Sequence, residues 1–237
     1  MPHVPIRFPK PLKAGDLIAV TAPSSGVSGA ALARLDLALD HLRSQGFRIV
    51  EGECLRQEYK NASAERSARA VELNRFLHDA DVAAIIPPWG GERAMELLSL
   101  IDFAALRELE PKWLLGFSDI STLLMPLSLM AGWATAHGAN LLDLATSESD
   151  PLTAQVLDIL SSDQQGLVQT SSSYYQFEWP NFAERPNAPL NLSEPTTWRR
   201  LDGKTGRIAF QGRLIGGCLD TVARLAGSPY GDVPAFA

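Results

Sequence analysis

Two rhythms of apolar and polar positions alternate along the first 145 or so residues. Short apolar runs read as strands: Asp16-Leu17-Ile18-Ala19-Val20-Thr21, Phe47-Arg48-Ile49-Val50, Asp81 to Pro87, Trp113-Leu114-Leu115-Gly116 and Ala134-Thr135-Ala136-His137-Gly138. Helix-spaced segments lie between them. Ala30 to Gln45 has apolar residues at 32, 35, 39 and 42, and Gly46 follows as a terminator. A second helix is predicted from Ser63 to about His78 through Ala70, Leu73 and Phe76. Its start, Ser63-Ala64-Glu65-Arg66, has Arg66 where a capping box wants Glu or Gln. Glu92 to Leu100 and Ile120 to Met130 complete the helical set. Strands alternating with helices imply an α/β unit with a mostly parallel sheet, here assigned to residues 1–150.

Beyond that unit the rhythm changes. Residues 151–205 read as linker and loops with one helix, Pro151 to Leu160, and 170–200 are rich in Ser, Pro, Asn and aromatic residues. A strand within 207–217 and a helix from Leu219 to Leu225 then predict the beginning of a second, smaller α+β domain over residues 206–237.

Composition narrows the function classes. The chain has 237 residues, 46% hydrophobic and 20% charged, enough apolar material for a core. The net charge of −6 without a basic stripe argues against nucleic-acid binding. No run of about 18 apolar residues suggests a membrane span. No secretory signal pattern opens the chain, and two cysteines cannot staple a fold, so the cytoplasm is the expected location. The prolines at 2, 5, 9 and 11 predict an extended leader along the surface. No cluster has metal-ligand spacing, and no Walker or dinucleotide fingerprint is present, so no cofactor is expected.

Candidate chemistry gathers at the carboxyl ends of predicted strands, where ligands bind in open α/β sheets. In Leu115-Gly116-Phe117-Ser118-Asp119-Ile120-Ser121 a strand meets a glycine, a serine and then a helix. That is the setting of a nucleophile elbow, although the second glycine of G-x-S-x-G is missing. The same residues suit a simple helix cap. Pro87-Pro88-Trp89-Gly90-Gly91-Glu92 ends another strand, and its glycine N–H groups suit an oxyanion hole, a phosphate nest or merely a tight turn. His137 is the one histidine of four (His3, His41, His78, His137) in a plausible site position, and a structural histidine is the competing reading. Trp89, Trp179 and Trp198 are candidates for pocket walls or for packing.

In this order the segments resemble the LD-carboxypeptidase family of serine peptidases, including its microcin C self-immunity branch. The resemblance begins at Leu12 to Ser25. It continues through Ser63-Ala64-Glu65-Arg66, Asp79 to Ile85, Trp89-Gly90-Gly91, Gly116-Phe117-Ser118-Asp119-Ile120-Ser121 and His137-Gly138, and ends with Gly212 to Asp220. Gly216-Gly217-Cys218-Leu219 and the tryptophans near 179–198 look closer to the microcin branch than to the murein-recycling branch, which usually has Gly-Gly-Asn-Leu. The resemblance implies a flavodoxin-like domain with helices on both faces of its sheet, and a Ser–Glu–His triad with Ser118 as nucleophile. It also implies an oxyanion hole of the Gly91 and Asp119 N–H groups, a homodimer, and no metal. Gly90, Trp89 and Trp179 would contact substrate, a small peptide or peptidyl-nucleotide.

The family's Glu and His fall after Gly-Gly-Cys-Leu, and neither can be assigned here, so both are expected beyond Ala237 and the chain is read as truncated. Three readings follow. The first is a serine carboxypeptidase or amidase, active in its full-length form and expected to be inactive as this chain alone, acting on murein L,D-tetrapeptides or microcin C-like conjugates through an acyl-enzyme. The second is an inactive homologue that binds peptide or nucleotide. The third is a Ser118–His137 dyad.

Overall fold

The computed structural model describes residues 4–146, 150–164 and 166–235. Five short strands form one sheet: β1 (Leu17–Val20), β2 (Arg48–Glu51), β3 (Val82–Ile85), β4 (Trp113–Gly116) and β5 (Ala136–His137). Their order is β2-β1-β3-β4-β5, with every neighbouring pair parallel. This is the flavodoxin-like order. The chain leaves β1 toward β2, then crosses back to β3 on the other side of β1. That reversal opens a crevice at the carboxyl ends of β1 and β3.

The inner strands are apolar throughout because both sheet faces are covered. Side chains alternate between two cores. Ala19, Ile85 and Leu114 face one, beneath α2 (Arg66–His78), α3 (Phe103–Leu106) and α4 (Ser121–Pro126). Ile18, Val20, Ala84 and Leu115 face the other, beneath α1 (Leu32–Ser44) and α6 (Val156–Ser161), which follows the short helix α5 (Pro151–Ala154). The leader is pinned as well as extended: Arg7 N donates to Gly132 O at 2.7 Å, and Leu12 N to Leu160 O at 2.9 Å. His3 lies outside the described residues. Among the described residues no helix is long and apolar enough to cross a membrane.

Several expected elements take other forms. Ser63 does not cap α2; its buried hydroxyl donates to Ala22 O at 2.6 Å, tying the helix approach to the β1 loop. The segment expected as a helix over 92–100 is a 3₁₀ run, Ala94–Leu100. Arg69, Arg66 and Asn74 of α2 donate to the carbonyls of Arg93, Glu96 and Leu100, and these bonds compete with α-helical pairing. The helix expected over 120–130 starts as a 3₁₀ turn, Ser118–Ile120, and continues as α4. It then widens into a π-type turn, Leu127–Ala131, after Pro126, which has no N–H to donate. The helix expected from Pro151 to Leu160 is split into α5 and α6 around Gln155.

Residues 207–217 form no strand; Phe210 is 83% exposed and Leu214 86%. A lone apolar segment without a paired neighbour has nowhere to place its backbone hydrogen bonds. The region before it carries a two-stranded antiparallel ribbon, β6 (Tyr174–Tyr175) with β7 (Glu194–Pro195). After it comes α7 (Leu219–Val222), which packs on α4.

Candidate active site

β4 ends at Gly116, where a side chain would collide with Asn140 Oδ1 at 2.8 Å and the Ile120 side chain at 2.9 Å. Phe117 is extended, and its N–H donates to Asn140 Oδ1 at 3.2 Å. Ser118 then takes φ +59°, a left-handed conformation unusual for a residue with a Cβ. Such strain persists only where surrounding contacts impose it. Here the imposing contacts come from the segment around α7. Cys218 Sγ accepts from Ser118 N at 3.2 Å, and Thr221 Oγ1 donates to Ser118 O at 3.4 Å. Gly217 makes this approach possible, since a Cβ there would lie 2.6 Å from Ser121 Cβ.

Asp119 does not cap the helix with its side chain. Its carboxylate, 4% exposed, turns inward and accepts from Ser24 Oγ at 2.6 Å, Ala94 N at 2.8 Å and Thr122 Oγ1 at 3.2 Å. Ser24 Oγ in turn accepts from Arg93 N at 3.0 Å. One carboxylate thus clamps together the β1 loop, the double-glycine turn and the serine elbow. Ser25 N adds a bond to Gly90 O at 3.2 Å, and Trp89 Nε1 donates to Ser25 O at 3.0 Å.

The double glycine packs directly against the elbow. A Cβ on Gly90 would sit 2.9 Å from Ser118 Cβ, 3.0 Å from Ser118 Oγ and 3.0 Å from Asp119 N. Only a residue without a side chain lets this turn approach the Ser118 hydroxyl and the Asp119 N–H so closely. Gly91, at φ +143°, approaches Ser24 Oγ and Ser25 Oγ so closely that a Cβ would lie 2.4 Å from each. Neither the Gly91 N–H nor the Asp119 N–H makes a hydrogen bond among the described residues. Asp119 N is one of the orphan donors at the start of a helical segment.

The other candidates make no hydrogen bond to Ser118 among the described residues. His137 ends β5 at an exposed position, and its Nε2 lies 3.8 Å from Cys218 Sγ. Partial desolvation pushes its pKa below the ordinary histidine range, so it is neutral at pH 7. No hydrogen bond joins it to Ser118 among the described residues, so the Ser118–His137 dyad has no direct bond to support it. His41 lies on α1, and His78 ends α2 against Asn74 O. Trp179 is 61% exposed and packs edge-on against Phe182, whose ring is stacked by Arg34. Trp198 is 82% exposed. Ser24, Asn140 and Cys218 were not singled out by sequence reasoning as partners of the elbow. Ser24 had one usable signal, its place directly after the first strand.

The two thiols differ sharply. Burial, then Glu72, push the Cys54 thiol up to about 11, whereas Cys218 is only partly buried beside Ser118 N. One equivalent of a thiol reagent at pH 8 is expected to modify Cys218 in the folded protein, with Cys54 reacting only after unfolding. Peptide mapping of the labelled protein checks this.

A family model described as the LD-carboxypeptidase N-terminal domain matches residues 18–138, the stretch holding β1 through β5 and the elbow. The chain belongs to the LD-carboxypeptidase family. A carboxypeptidase-named protein of Vibrio cholerae is 31% identical over 94% of this chain and 66% of its own length. The murein tetrapeptide carboxypeptidase of Pseudomonas aeruginosa is 27% identical over 89% of this chain and 60% of its own length. Among solved structures, the microcin C7 self-immunity protein MccF in complex with aspartyl sulfamoyl adenosine superposes with a TM-score of 0.79. It is 25% identical, over 94% of this chain and 67% of that one. This LD-carboxypeptidase homologue thus spans two thirds or less of the two relatives' lengths.

Proposed function

We infer that the chain carries the nucleophile and oxyanion hole of a serine carboxypeptidase or amidase. The observation that supports this most is the side-chain-free approach of Gly90 to the Ser118 hydroxyl and the Asp119 N–H, where a Cβ would lie 3.0 Å from each. A substrate carbonyl carbon that meets Ser118 Oγ turns its oxygen toward the N–H groups of Asp119 and Gly91, unpaired among the described residues. As the Oγ–C bond forms, the negative charge on the carbonyl oxygen is met by preoriented donors. The C–N bond then breaks, the serine proton passes through a general base to the leaving nitrogen, and water releases the acyl group. The base and its carboxylate partner are assigned, by the family resemblance, to the portion after Gly-Gly-Cys-Leu.

The substrates proposed are L,D-linked murein tetrapeptides or aminoacyl-nucleotide conjugates. The MccF complex, with its aminoacyl sulfamoyl nucleoside, supports the second class, and the Pseudomonas relative's name supports the first. A binding-only protein is the second reading, favoured by the lack of any histidine bonded to Ser118 among the described residues.

Mass spectrometry of the native protein incubated with each substrate decides among these. Released amino acid together with a transient acyl adduct on Ser118 is the expected result. Saturable binding without release would support the binder, and neither binding nor release would sink both.

A further inference from the structure

A cavity of about 740 Å³ opens between the turn at Tyr59–Ala62, the start of α2, the 3₁₀ run Ala94–Leu100 and residues 224–230. Its size falls in the range of small-molecule sites. Its charge is unlike the rest of the chain. Lys60, Arg66, Arg69, Arg93 and Arg224 line it, against two carboxylates, Glu65 and Glu96. That leaves three positive charges in excess, in a protein whose net charge is −6.

The pairing inside the cavity sharpens the imbalance. Arg69 and Arg93 share one carboxylate, Glu96, whose pKa their bonds hold below the usual range against the opposing effect of burial. Arg66 bonds only neutral acceptors, Glu96 O at 2.7 Å and Ser99 Oγ at 2.6 Å. Lys60 and Arg224 form no ion pair among the described residues. Lys60 Nζ instead sits 4.8 Å from the centre of the Tyr59 ring. The backbone holds Lys60 in place: Lys60 and Asn61 take φ +48° and +62°, inside a turn closed by Tyr59 N to Ala62 O at 2.6 Å. Arg93 Nη1 donates to Lys60 O at 3.0 Å. Like charges gathered in a concave site raise one another's energy, and a bound anion relieves that repulsion.

We propose that this cavity is an anion-binding site that takes a small ligand through a carboxylate or phosphate group held by Lys60, Arg66 and Arg224. Arg69 and Arg93, which share the Glu96 carboxylate, form its fixed wall. Guanidinium groups suit both oxyanions because their forked donors match two oxygens at once. The apolar Leu98 and Leu225 give the floor a surface for the ligand's carbon skeleton. The site does not depend on Ser118 chemistry, so it stands or falls separately from the hydrolase reading.

The test is an amide-shift titration by NMR at low ionic strength, with inorganic phosphate in one arm and acetate in the other. Saturable shifts centred on Lys60, Arg66, Arg93 and Arg224 are expected in at least one arm. The arm that saturates identifies a tetrahedral or a planar oxyanion as the recognised group, and saturation in both identifies a general oxyanion site. The double variant K60N/R224Q is expected to weaken half-saturation by about tenfold or more. Asparagine suits the left-handed backbone at 60, and neither side chain makes an ion pair that folding would lose. The double variant K13Q/K204Q removes the same charge elsewhere and should leave binding unchanged. Absence of saturation in both arms, or equal weakening by the two double variants, would overturn the proposal.

Discussion

Replacing Ser118 with alanine is expected to lower turnover on either substrate class by roughly 10,000-fold or more while the fold is retained. The argument rests on where the hydroxyl stands. Ser118 is held at φ +59° by contacts from Cys218 and Thr221, and its Oγ lies against Gly90 beside Asp119 N. Removing the oxygen removes the proposed nucleophile, while the oxyanion donors remain. Ser118→Gly provides a second reading of the same position. It should be equally inactive, yet more stable than Ser118→Ala by about 1 kcal/mol, because glycine takes a positive φ without a Cβ penalty. Steady-state kinetics and thermal melts of the two variants check both halves. Wild-type turnover in Ser118→Ala would reject Ser118 as the nucleophile.

Gly90→Ala is expected to cost about 100-fold or more in kcat/KM, with a loss of stability of about 1–3 kcal/mol from overpacking. Gly90 is not among the residues with positive φ, so alanine is compatible with its backbone. The added methyl is instead a steric probe. It would stand 3.0 Å from Ser118 Oγ and Asp119 N, pressing on both the proposed nucleophile and an oxyanion donor. A displacement of about 1 Å at such a point is enough for a hundredfold effect. Gly91→Ala is a less clean probe, since it combines a strained φ with collisions on Ser24 and Ser25. Kinetics alongside a melting curve separate the cases: unchanged kcat/KM in a folded Gly90→Ala would show that this approach does not set the catalytic geometry.

Much of the architecture is legible in the chain because it depends on near neighbours. Four of the five strands fall within the apolar runs, β2 passes its run by one residue at Glu51, and Gly46 follows α1 at φ +87° as expected of a terminator. The departures arise where distant side chains intervene. The 3₁₀ run at 94–100 reflects bonds from α2, some 30 residues away. Residues 207–217 have strand-like composition but no partner to pair with. Pro126 was a readable warning that the helix after the elbow would not run on evenly.

The candidate site divides in the same way. Periodicity and turn residues were sufficient to place Ser118 and Gly90-Gly91 at the carboxyl edge of a parallel sheet, and their order carried the family resemblance. Those are short-range properties: strand length, the φ allowed to glycine, the strand-to-helix turn. Only the tertiary structure decided that the Asp119 carboxylate clamps three loops instead of capping a helix, through a bond to Ser24, 95 positions earlier. It alone showed that Cys218, 100 positions later, braces Ser118 N, and that His137 makes no hydrogen bond with Ser118. Hydrogen-bond partners so far apart are chosen by strand order and by which loops meet at the β1–β3 crossover, and no local pattern of residues encodes that meeting.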